Sequence, residues 1–506
     1  DGTMGLDMIL KNIKKAKNDD NISGMVLDLS IIPAGMGTIE EIRSAIIDFK
    51  ESGKFVYCHA DRFAQSTYYL ASAADKIYMV PKGDFFWVGL SSEVIFLKKA
   101  LDKLGIDMQV VRHGEYKGAV EPLLYEQLSE ENRKQITDYM NSLWDHMVKN
   151  ISDARELSSQ EINQIADDLA LTSAEDALEY GFIDASLYFN EFIDEIKELV
   201  NVDKEDDLNS VTIKKYNKVP EKRETKGLAK DKVAVVYASG NILQGETDMN
   251  TIGSDRFSKA IRKARRDSTI KAIVLRVNSP GGDGLASDII AQEVKLASQV
   301  KPVIVSMGDV AASGGYYIAM FADKIYANPN TLTGSIGVFG VFPNMKELMN
   351  DKLGITSDVV KTNEHADLGS IFRSFDEEES EMLKEEIDDF YQTFITKVAE
   401  GRSMEVERVD SIARGHVYSG VKAKEIGLID EFGGMKEAIN AAVEEAELET
   451  YRIVKYPEIE DPLQLILKEF TGAAKLRYLK NKLGENYYYY DLLNNTSEMK
   501  GIQARL

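Results

Sequence analysis

The sequence predicts an α/β fold made of two tandem copies of one folding unit, each with a buried, mainly parallel sheet and crossover helices. The first observation is an internal repeat. Residues 57–81 and 305–329 align without a gap, at an offset of 248, and share 11 identities. The register continues upstream, where residues 24–29 lie over residues 272–277. The second observation is that apolar runs alternate with helical patterns, which is typical of parallel strands covered on both faces.

Each copy contains strand-like runs separated by helical segments. The predicted strands are Met25–Leu29, Phe55–Cys58 and Lys76–Met79 in the first copy, and Ala272–Val277, Val303–Ser306 and Lys324–Ala327 in the second. Helical periodicity predicts crossover helices at Ile39–Ser52 and Ala286–Ser298, and long charged helices at Ser129–Leu157 and Asp376–Gly401. A matching tail, residues 171–185 and 418–432, closes each copy.

These elements divide the chain into an N-terminal repeat (1–205), a polar linker (206–229), a C-terminal repeat (230–445) and a C-terminal extension (446–506). The extension predicts no more than an added helix or arm. In the C-terminal repeat, the strand-like run 232–242 precedes the segment equivalent to residues 1–20. The counterpart of that run falls before residue 1. We therefore expect a truncated first copy, with at least one strand ahead of the sequence given.

Composition limits the classes of function. The 506 residues carry a net charge of −23 with no dense basic run, which argues against a nucleic-acid partner. The single cysteine, Cys58, lies in an apolar run, where we expect a buried structural thiol. The sequence contains no Cys/His cluster that would predict a metal site. The sequence also lacks an apolar run of 18 residues, the length that would predict a membrane-spanning helix.

Two segments of the second copy carry residues suited to catalysis. Residues 276–282 (RVNSPGG) follow a strand and predict a tight loop with backbone N–H groups aimed at a ligand. Such a loop can supply an oxyanion-hole donor, although an ordinary strand-to-helix turn has the same composition. Residues 309–317 (DVAASGGYY) place Ser313 at the start of an apolar helix. A serine there serves either as a helix N-cap or, with two glycines clearing space beside it, as a nucleophile.

A nucleophilic serine needs a base. No recognisable Ser-His-Asp pattern involves any of the five histidines, which are His59, His113, His146, His365 and His416. A lysine can serve when burial lowers its pKa, because only the uncharged amine accepts a proton. Lys117 follows a strand of the first copy, within residues 112–122 (RHGEYKGAVEP). By position alone it is typical of a solvated surface lysine, and its counterpart near Ala366 is not a lysine.

Three motifs together, SPGG, D-x-A-A-S-G-G-Y-Y and Y-K-x-A-V-E-P, resemble the long, duplicated form of the signal peptide peptidase A (protease IV) family. The resemblance covers most of residues 1–440, in the same order. It implies that Ser313 is the nucleophile, Lys117 the general base, and Ser335, 22 residues after the nucleophile, the residue that orients the lysine amine. Trp87 stands at the position of Ser335 in the first copy. Gly118 departs from the motif, which commonly has a serine there.

The resemblance also implies a mechanism and a setting. Lys117 takes the proton of Ser313, and the backbone N–H groups of Gly314 and Gly282 hold the oxyanion, with no cofactor and no metal. The implied fold is a ClpP/crotonase-like spiral domain in tandem, assembled as a homotetramer. The implied substrates are hydrophobic remnant signal peptides. A membrane anchor ahead of residue 1 would hold the catalytic domains on the extracytoplasmic (periplasmic) side of the cell membrane.

Two other classes of function stay open at this point. One is a crotonase-like acyl-CoA enzyme, which has no use for a Ser/Lys pair and for which no basic phosphate-binding cluster is evident. The other is a non-catalytic scaffold of the same fold. If the protein is a peptidase, its nucleophile and base lie in different copies. The active site must then form across a domain boundary, either within one chain or between neighbouring subunits.

Overall fold

The structure is a computed structural model that describes residues 4–29, 32–220, 229–248 and 250–458. Most of the predicted C-terminal extension, including the expected helix or arm, therefore lies outside the described residues. Elements are numbered in chain order through both halves.

The first half contains a four-stranded parallel sheet. The five strands of this half are β1 (Gly24–Leu29), β2 (Phe55–Ala60), β3 (Lys76–Met79), β4 (Asp107–His113) and β5 (Ala185–Ser186), of which β4 pairs outside this sheet. Its helices are α1 (Leu6–Lys17), α2 (Met36–Lys50), α3 (Gln65–Ala71), α4 (Lys98–Leu104), α5 (Glu121–Leu124), α6 (Glu130–Arg155), α7 (Ser159–Asp167), α8 (Ala174–Glu179), α9 (Phe189–Leu199) and α10 (Ile213–Tyr216). The sheet order is β1-β2-β3-β5, and all three pairings are parallel, as predicted.

The second half is built around a larger sheet. Its strands are β6 (Lys232–Ser239), β7 (Ile242–Leu243), β8 (Ile252–Gly253), β9 (Ile270–Ser279), β10 (Val303–Ala312), β11 (Lys324–Ala327), β12 (Leu332–Gly334), β13 (Val338–Asn344), β14 (Val417–Ser419), β15 (Glu431–Phe432) and β16 (Arg452–Tyr456). Its helices are α11 (Ser254–Arg266), α12 (Gly284–Ser298), α13 (Gly314–Tyr317), α14 (Glu377–Arg402), α15 (Val406–Ile412), α16 (Gly420–Glu425) and α17 (Met435–Glu445).

Eight described strands of this half form one sheet, with the order β14-β12-β10-β9-β6-β16; β11 pairs with β10, and β15 pairs with β11. Among the described pairings of this sheet, β12–β14 is antiparallel and the others are parallel. The strand β16 lies in the predicted C-terminal extension but pairs with β6, so the sheet of the second half continues into that segment.

Two strands of the second half continue past the ends that the sequence predicts, and both end at the candidate site. We expected β9 to end at Val277 and β10 at Ser306, but they continue to Ser279 and Ala312. The polar Arg276 interrupts the apolar pattern of β9, yet its guanidinium is buried and donates to Ser306 Oγ at 2.8 Å and to the Met307 carbonyl. The loop that follows β9 therefore begins at Pro280 rather than at Arg276.

The duplication is visible in equivalent side-chain contacts. Asp75 accepts a hydrogen bond from the backbone N–H of Val56 at 2.7 Å. Its counterpart Asp323 accepts one at the same distance from Val303, one residue before the counterpart of Val56. Tyr68 and Tyr316 are fully buried, and each phenol donates to a backbone carbonyl near the end of its own half, at 2.7 Å and 2.9 Å. The two halves are therefore copies in their packing as well as in their sequence.

Each half has its own hydrophobic core, and Cys58 is buried in the first, as predicted. Burial raises the pKa of the Cys58 thiol well above its usual value, so the thiol stays protonated. Among the helices of the described ranges, none combines the length and the hydrophobicity that crossing a membrane requires.

The two halves meet through a sheet and through buried polar contacts. Strand β4 of the first half pairs with β13 of the second in an antiparallel ladder. Glu41 of α2 forms a buried ion pair with Arg276 of β9 at 2.5 Å. At the start of α2, Thr38 donates its backbone N–H and its hydroxyl to Asp309, which lies four residues before Ser313. These contacts fix the first half against the strands that end at Ser313.

Candidate active site

Ser313 lies between the end of β10 and the four-residue helix α13. Its φ of 55° and ψ of −120° are unusual for a residue other than glycine. Its backbone N–H donates to the Gly334 carbonyl at 2.9 Å. The hydroxyl makes no capping hydrogen bond to α13, which removes the N-cap explanation that the sequence left open. The side chain is instead free to interact outside its own helix.

Lys117 follows β4 and points into the interior. Only 3% of its surface is exposed, so the solvated lysine that its position suggested is not what the structure has. The backbone of the second half lies close against it: a Cβ placed on Gly415 would be 2.6 Å from the backbone nitrogen of Lys117. Gly415 also has a φ of +84°, so this close approach requires glycine on both grounds.

The lysine amine contacts three atoms of the second half at the same distance. Nζ lies 3.0 Å from Ser313 Oγ, 3.0 Å from Ser335 Oγ and 3.0 Å from the Ser335 carbonyl oxygen. Burial lowers the pKa of Lys117 to about 7. A neutral amine has two N–H donors and one lone pair. It can therefore donate to both Ser335 oxygens while its lone pair accepts the proton of Ser313.

Ser335 is held in the orientation that these contacts require. Its φ is 50°, and its backbone N–H donates to the His416 carbonyl at 2.7 Å. The preceding strand β12 pairs with β10, so that Gly334 lies opposite Ala312. Ser335 and Ser313 thus leave two neighbouring strands at the same edge of the sheet, and the structure brings both to Lys117.

The predicted oxyanion glycines also lie beside Ser313. A Cβ on Gly314 would lie 3.2 Å from the Gly282 nitrogen, so the loop after β9 packs directly on the start of α13. Gly281, with a φ of +99°, makes this approach possible, because a Cβ there would lie 2.5 Å from the Gly314 nitrogen. Within the described chain the N–H of Gly282 has no hydrogen-bond partner, and Gly314 is the first residue of its helix. Both donors are available to a ligand.

The equivalent place in the first half lacks this machinery. Gln65 stands at the position of Ser313, and its side chain is occupied by three backbone hydrogen bonds to residues 88 and 89, at 2.8–2.9 Å. Trp87 stands at the position of Ser335 and is fully buried, with its indole N–H donating to the Ile162 carbonyl. In the first copy, the positions of Ser313 and Ser335 are thus occupied by side chains that are hydrogen-bonded to the backbone of their own half.

Sequence reasoning missed the segment 414–417, which the structure places over the lysine. The Arg414 carbonyl accepts the N–H of Tyr116, and the N–H of Gly415 donates to the Ile336 carbonyl. The ring of His416 packs on the ring of Tyr116, with centroids 4.4 Å apart. The segment comes just before the tail that repeats at residues 171–185. No catalytic side chain in it signalled a role, because it acts through its backbone.

A group that could hold a metal lies elsewhere among the described residues. His365, Asp376 and Glu379 place ligand atoms close together near the start of α14. Both carboxylate oxygens of Glu379, however, accept hydrogen bonds from Arg373 at 2.6 Å. A guanidinium already neutralises the most buried ligand, so this cluster reads as an ion-pair network rather than a metal site.

Replacing Ser335 with alanine should impair catalysis less than loss of either dyad residue, because Ser335 orients the amine and does not react. The backbone carbonyl of residue 335 would still accept from Lys117. We expect kcat for a peptide substrate to fall by about 10- to 100-fold. Steady-state kinetics of Ser335→Ala beside Ser411→Ala, at an exposed serine on α15, would measure this. A loss as large as that of Ser313→Ala would contradict the orienting role.

Comparison with known proteins finds one match in each half. The model of peptidase family S49 matches residues 48–203 and 295–449. The chain is 35% identical over 478 residues to Protease 4 of Salmonella typhi, covering 92% of this chain and 76% of that protein. It is 33% identical over 510 residues to the chloroplastic serine protease SPPA of Arabidopsis thaliana, covering 99% and 74%. A solved structure, ClpP1 from Listeria monocytogenes, is similar at 18% identity with a TM-score of 0.26, over 40% of this chain and 92% of that one.

Proposed function

The chain belongs to peptidase family S49 and is a serine peptidase, and we propose that it hydrolyses hydrophobic peptides with a dyad of Ser313 and Lys117. The observation that carries the proposal is the 3.0 Å contact between Lys117 Nζ and Ser313 Oγ. The two residues are 196 positions apart, in different halves of the same chain. A buried amine that close to a serine hydroxyl is the arrangement a lysine base requires.

In the proposed mechanism, the neutral amine of Lys117 takes the proton of Ser313, and Oγ attacks the scissile carbonyl carbon. The resulting oxyanion accepts hydrogen bonds from the N–H groups of Gly282 and Gly314. As the tetrahedral intermediate collapses, the C–N bond breaks and protonated Lys117 gives its proton to the leaving amine. Lys117 then takes a proton from water, whose oxygen attacks the acyl-enzyme ester. As the acyl C–Oγ bond breaks and the second product leaves, Lys117 returns that proton to Ser313 Oγ, which restores the hydroxyl and the neutral amine. Ser335 holds the amine throughout.

The substrates that we propose are hydrophobic peptides of the remnant signal peptide class. Leu285 and Ile289 support an apolar substrate, because they are 55% and 40% exposed on α12, directly after the oxyanion loop. The apolar ring of Phe339 on β13 also lies near the candidate site, with its centroid 5.8 Å from Lys117 Nζ. By the same resemblance we propose a homotetramer anchored to the cell membrane, with the catalytic domains on the extracytoplasmic side.

The proposal is tested by offering purified protein a fluorogenic hydrophobic peptide, the same peptide with aspartates in place of its apolar residues, and an acyl-CoA thioester. We expect cleavage of the hydrophobic peptide alone. Thioester turnover without peptide cleavage would support the acyl-CoA class that the sequence left open. Absence of both activities in folded protein would support the non-catalytic scaffold.

Peptidase activity should rise with pH through the pKa of Lys117, about 7. The pKa is lowered from the usual lysine value by burial, and the active form is the neutral amine. Well below pH 7, kcat/KM should therefore fall about tenfold for each pH unit. The control is Lys134→Met, which alters an exposed lysine on α6 and should leave the profile unchanged. A profile that is flat between pH 6 and about pH 8 would argue against a lysine base.

A further inference from the structure

We propose that Gln135 is a positioning residue. It holds the loop that carries Lys117 against residues 415–417 of the second half, the segment whose His416 carbonyl binds the N–H of Ser335. This inference rests on the proposed function of Lys117 as base. Gln135 lies on α6 of the first half, is only 3% exposed, and touches none of the reacting atoms in the described structure. Its amide connects the two halves at the point where the dyad is assembled.

One end of the amide holds the lysine loop. Nε2 of Gln135 donates to the carbonyl of Tyr116, the residue before Lys117, at 2.8 Å. The same nitrogen donates to Asn132 Oδ1 at 2.8 Å. Asn132 in turn donates to the fully buried carboxylate of Glu121, four residues after the lysine. Helix α6 therefore binds the lysine loop both before Lys117, at Tyr116, and after it, at Glu121.

The other end of the amide holds the second half. Oε1 of Gln135 accepts the backbone N–H of Val417 at 3.1 Å. The adjacent His416 carbonyl accepts the N–H of Ser335, and Gly415 packs against the backbone of Lys117. A shift of residues 415–417 would move Ser335 relative to the amine. The Gln135 amide thus connects the loop of the base, Lys117, to the segment that holds Ser335, the residue that orients the lysine amine.

The chemistry of the two ends requires an amide. Tyr116 offers a carbonyl, which needs a donor, and Val417 offers an N–H, which needs an acceptor. A glutamine side chain provides both from one rigid plane, and a carboxylate or a thioether does not. Leaving these buried backbone groups unpaired is costly, so a variant that cannot pair them would shift the loop or admit water.

Water or a displaced loop would change the protonation of Lys117. Titratable and charged groups face the lysine from four sets of elements. They are Arg112, His113, Glu115, Tyr116 and Glu121 on its own segment; Arg414, His416 and Tyr418 on the facing segment; Lys134 and Asp138 on α6; and Asp388, Tyr391 and Asp410 around His113. Better hydration of the amine favours its charged form, and so does a new carboxylate nearby. Both changes raise the pKa of Lys117, so the rising limb of the pH–activity profile moves to higher pH.

The experiment compares Gln135→Met and Gln135→Glu in the full chain. Methionine keeps the length of the side chain and loses all three hydrogen bonds of the Gln135 amide. Glutamate keeps the acceptor for Val417 and puts an oxygen against the Tyr116 carbonyl. The matched controls are Gln164→Met and Gln164→Glu, at an exposed glutamine of α7. Thermal unfolding reports folding, and kcat and KM are measured against pH beside Ser313→Ala and Lys117→Ala.

We expect Gln135→Met to lower kcat at pH 7 by about 10- to 100-fold with KM little changed, and to move the rising limb to higher pH. Gln135→Glu should shift the limb in the same direction, and it serves as the test if the methionine variant does not fold. The Gln164 variants should match wild type. A folded Gln135 variant with an unmoved limb, whatever its kcat, would overturn the positioning role. If Ser313→Ala and Lys117→Ala remain active, the dyad itself is wrong and the inference falls with it.

Discussion

Ser313→Ala should lower kcat/KM for a hydrophobic peptide by at least about 10⁴-fold, because no other group can form the acyl-enzyme. The fold should survive, since the substitution removes one hydroxyl beside two glycines and leaves the Ser313 backbone hydrogen bond to Gly334 in place. Peptide hydrolysis and thermal unfolding would be measured together. We expect wild-type stability with activity near the background.

Ser66→Ala is the matched control for that loss. Ser66 follows Gln65, the residue that occupies the place of the nucleophile in the first copy. It should turn over peptide at the wild-type rate. Substantial activity in Ser313→Ala, or a comparable loss in Ser66→Ala, would mean that the nucleophile lies elsewhere.

Lys117→Met and Lys117→Arg should both lose about 10²- to 10⁴-fold in kcat, the range that general-base catalysis contributes. Methionine resembles the buried lysine side chain in length but has no basic atom. Arginine keeps a positive charge and stays protonated at any working pH, so it cannot accept the Ser313 proton. The measurement is kcat across the pH range, with Lys134→Arg, on the surface of α6, as the control.

The arginine variant is the more informative of the two. It separates a base from a cation that merely attracts substrate, because a cation would survive the change. Activity in Lys117→Arg near the wild-type level would therefore remove Lys117 from the proton-transfer step.

The sequence predicted the parts of the fold that periodicity and repetition encode. The strands Lys76–Met79 and Lys324–Ala327 have the expected bounds, because each is a short apolar run between clear breaks. The α/β duplication is confirmed by the parallel sheets and by a family match in each half. The ends of β9 and β10 were predicted too early, since the polar Asn278 and Ser279 and the mixed run 308–312 (GDVAA) do not look like strand interior in isolation.

Within the candidate site, residues with distinctive chemistry were predictable and backbone partners were not. The motifs pointed to Ser313, Lys117, Ser335 and the two oxyanion glycines, Gly282 and Gly314, and the structure brings all five together. The burial of Lys117 could not be read from its neighbours, because the chain that covers it lies about 300 residues away, at 414–417. For the same reason Gln135 had no signature, since both of its backbone partners belong to long-range contacts.

Modification of Ser313 by a fluorophosphonate tests the central claim most directly, because it needs no knowledge of the peptide substrate. The rate would be followed against pH in wild type and in Lys117→Met, with the modified residue identified by mass spectrometry. The dyad predicts that wild type is modified at Ser313 alone, at a rate that rises through about pH 7, the pKa of Lys117. It also predicts that Lys117→Met reacts far more slowly and without that rise. Equal rates and equal pH profiles in the two proteins would contradict the account.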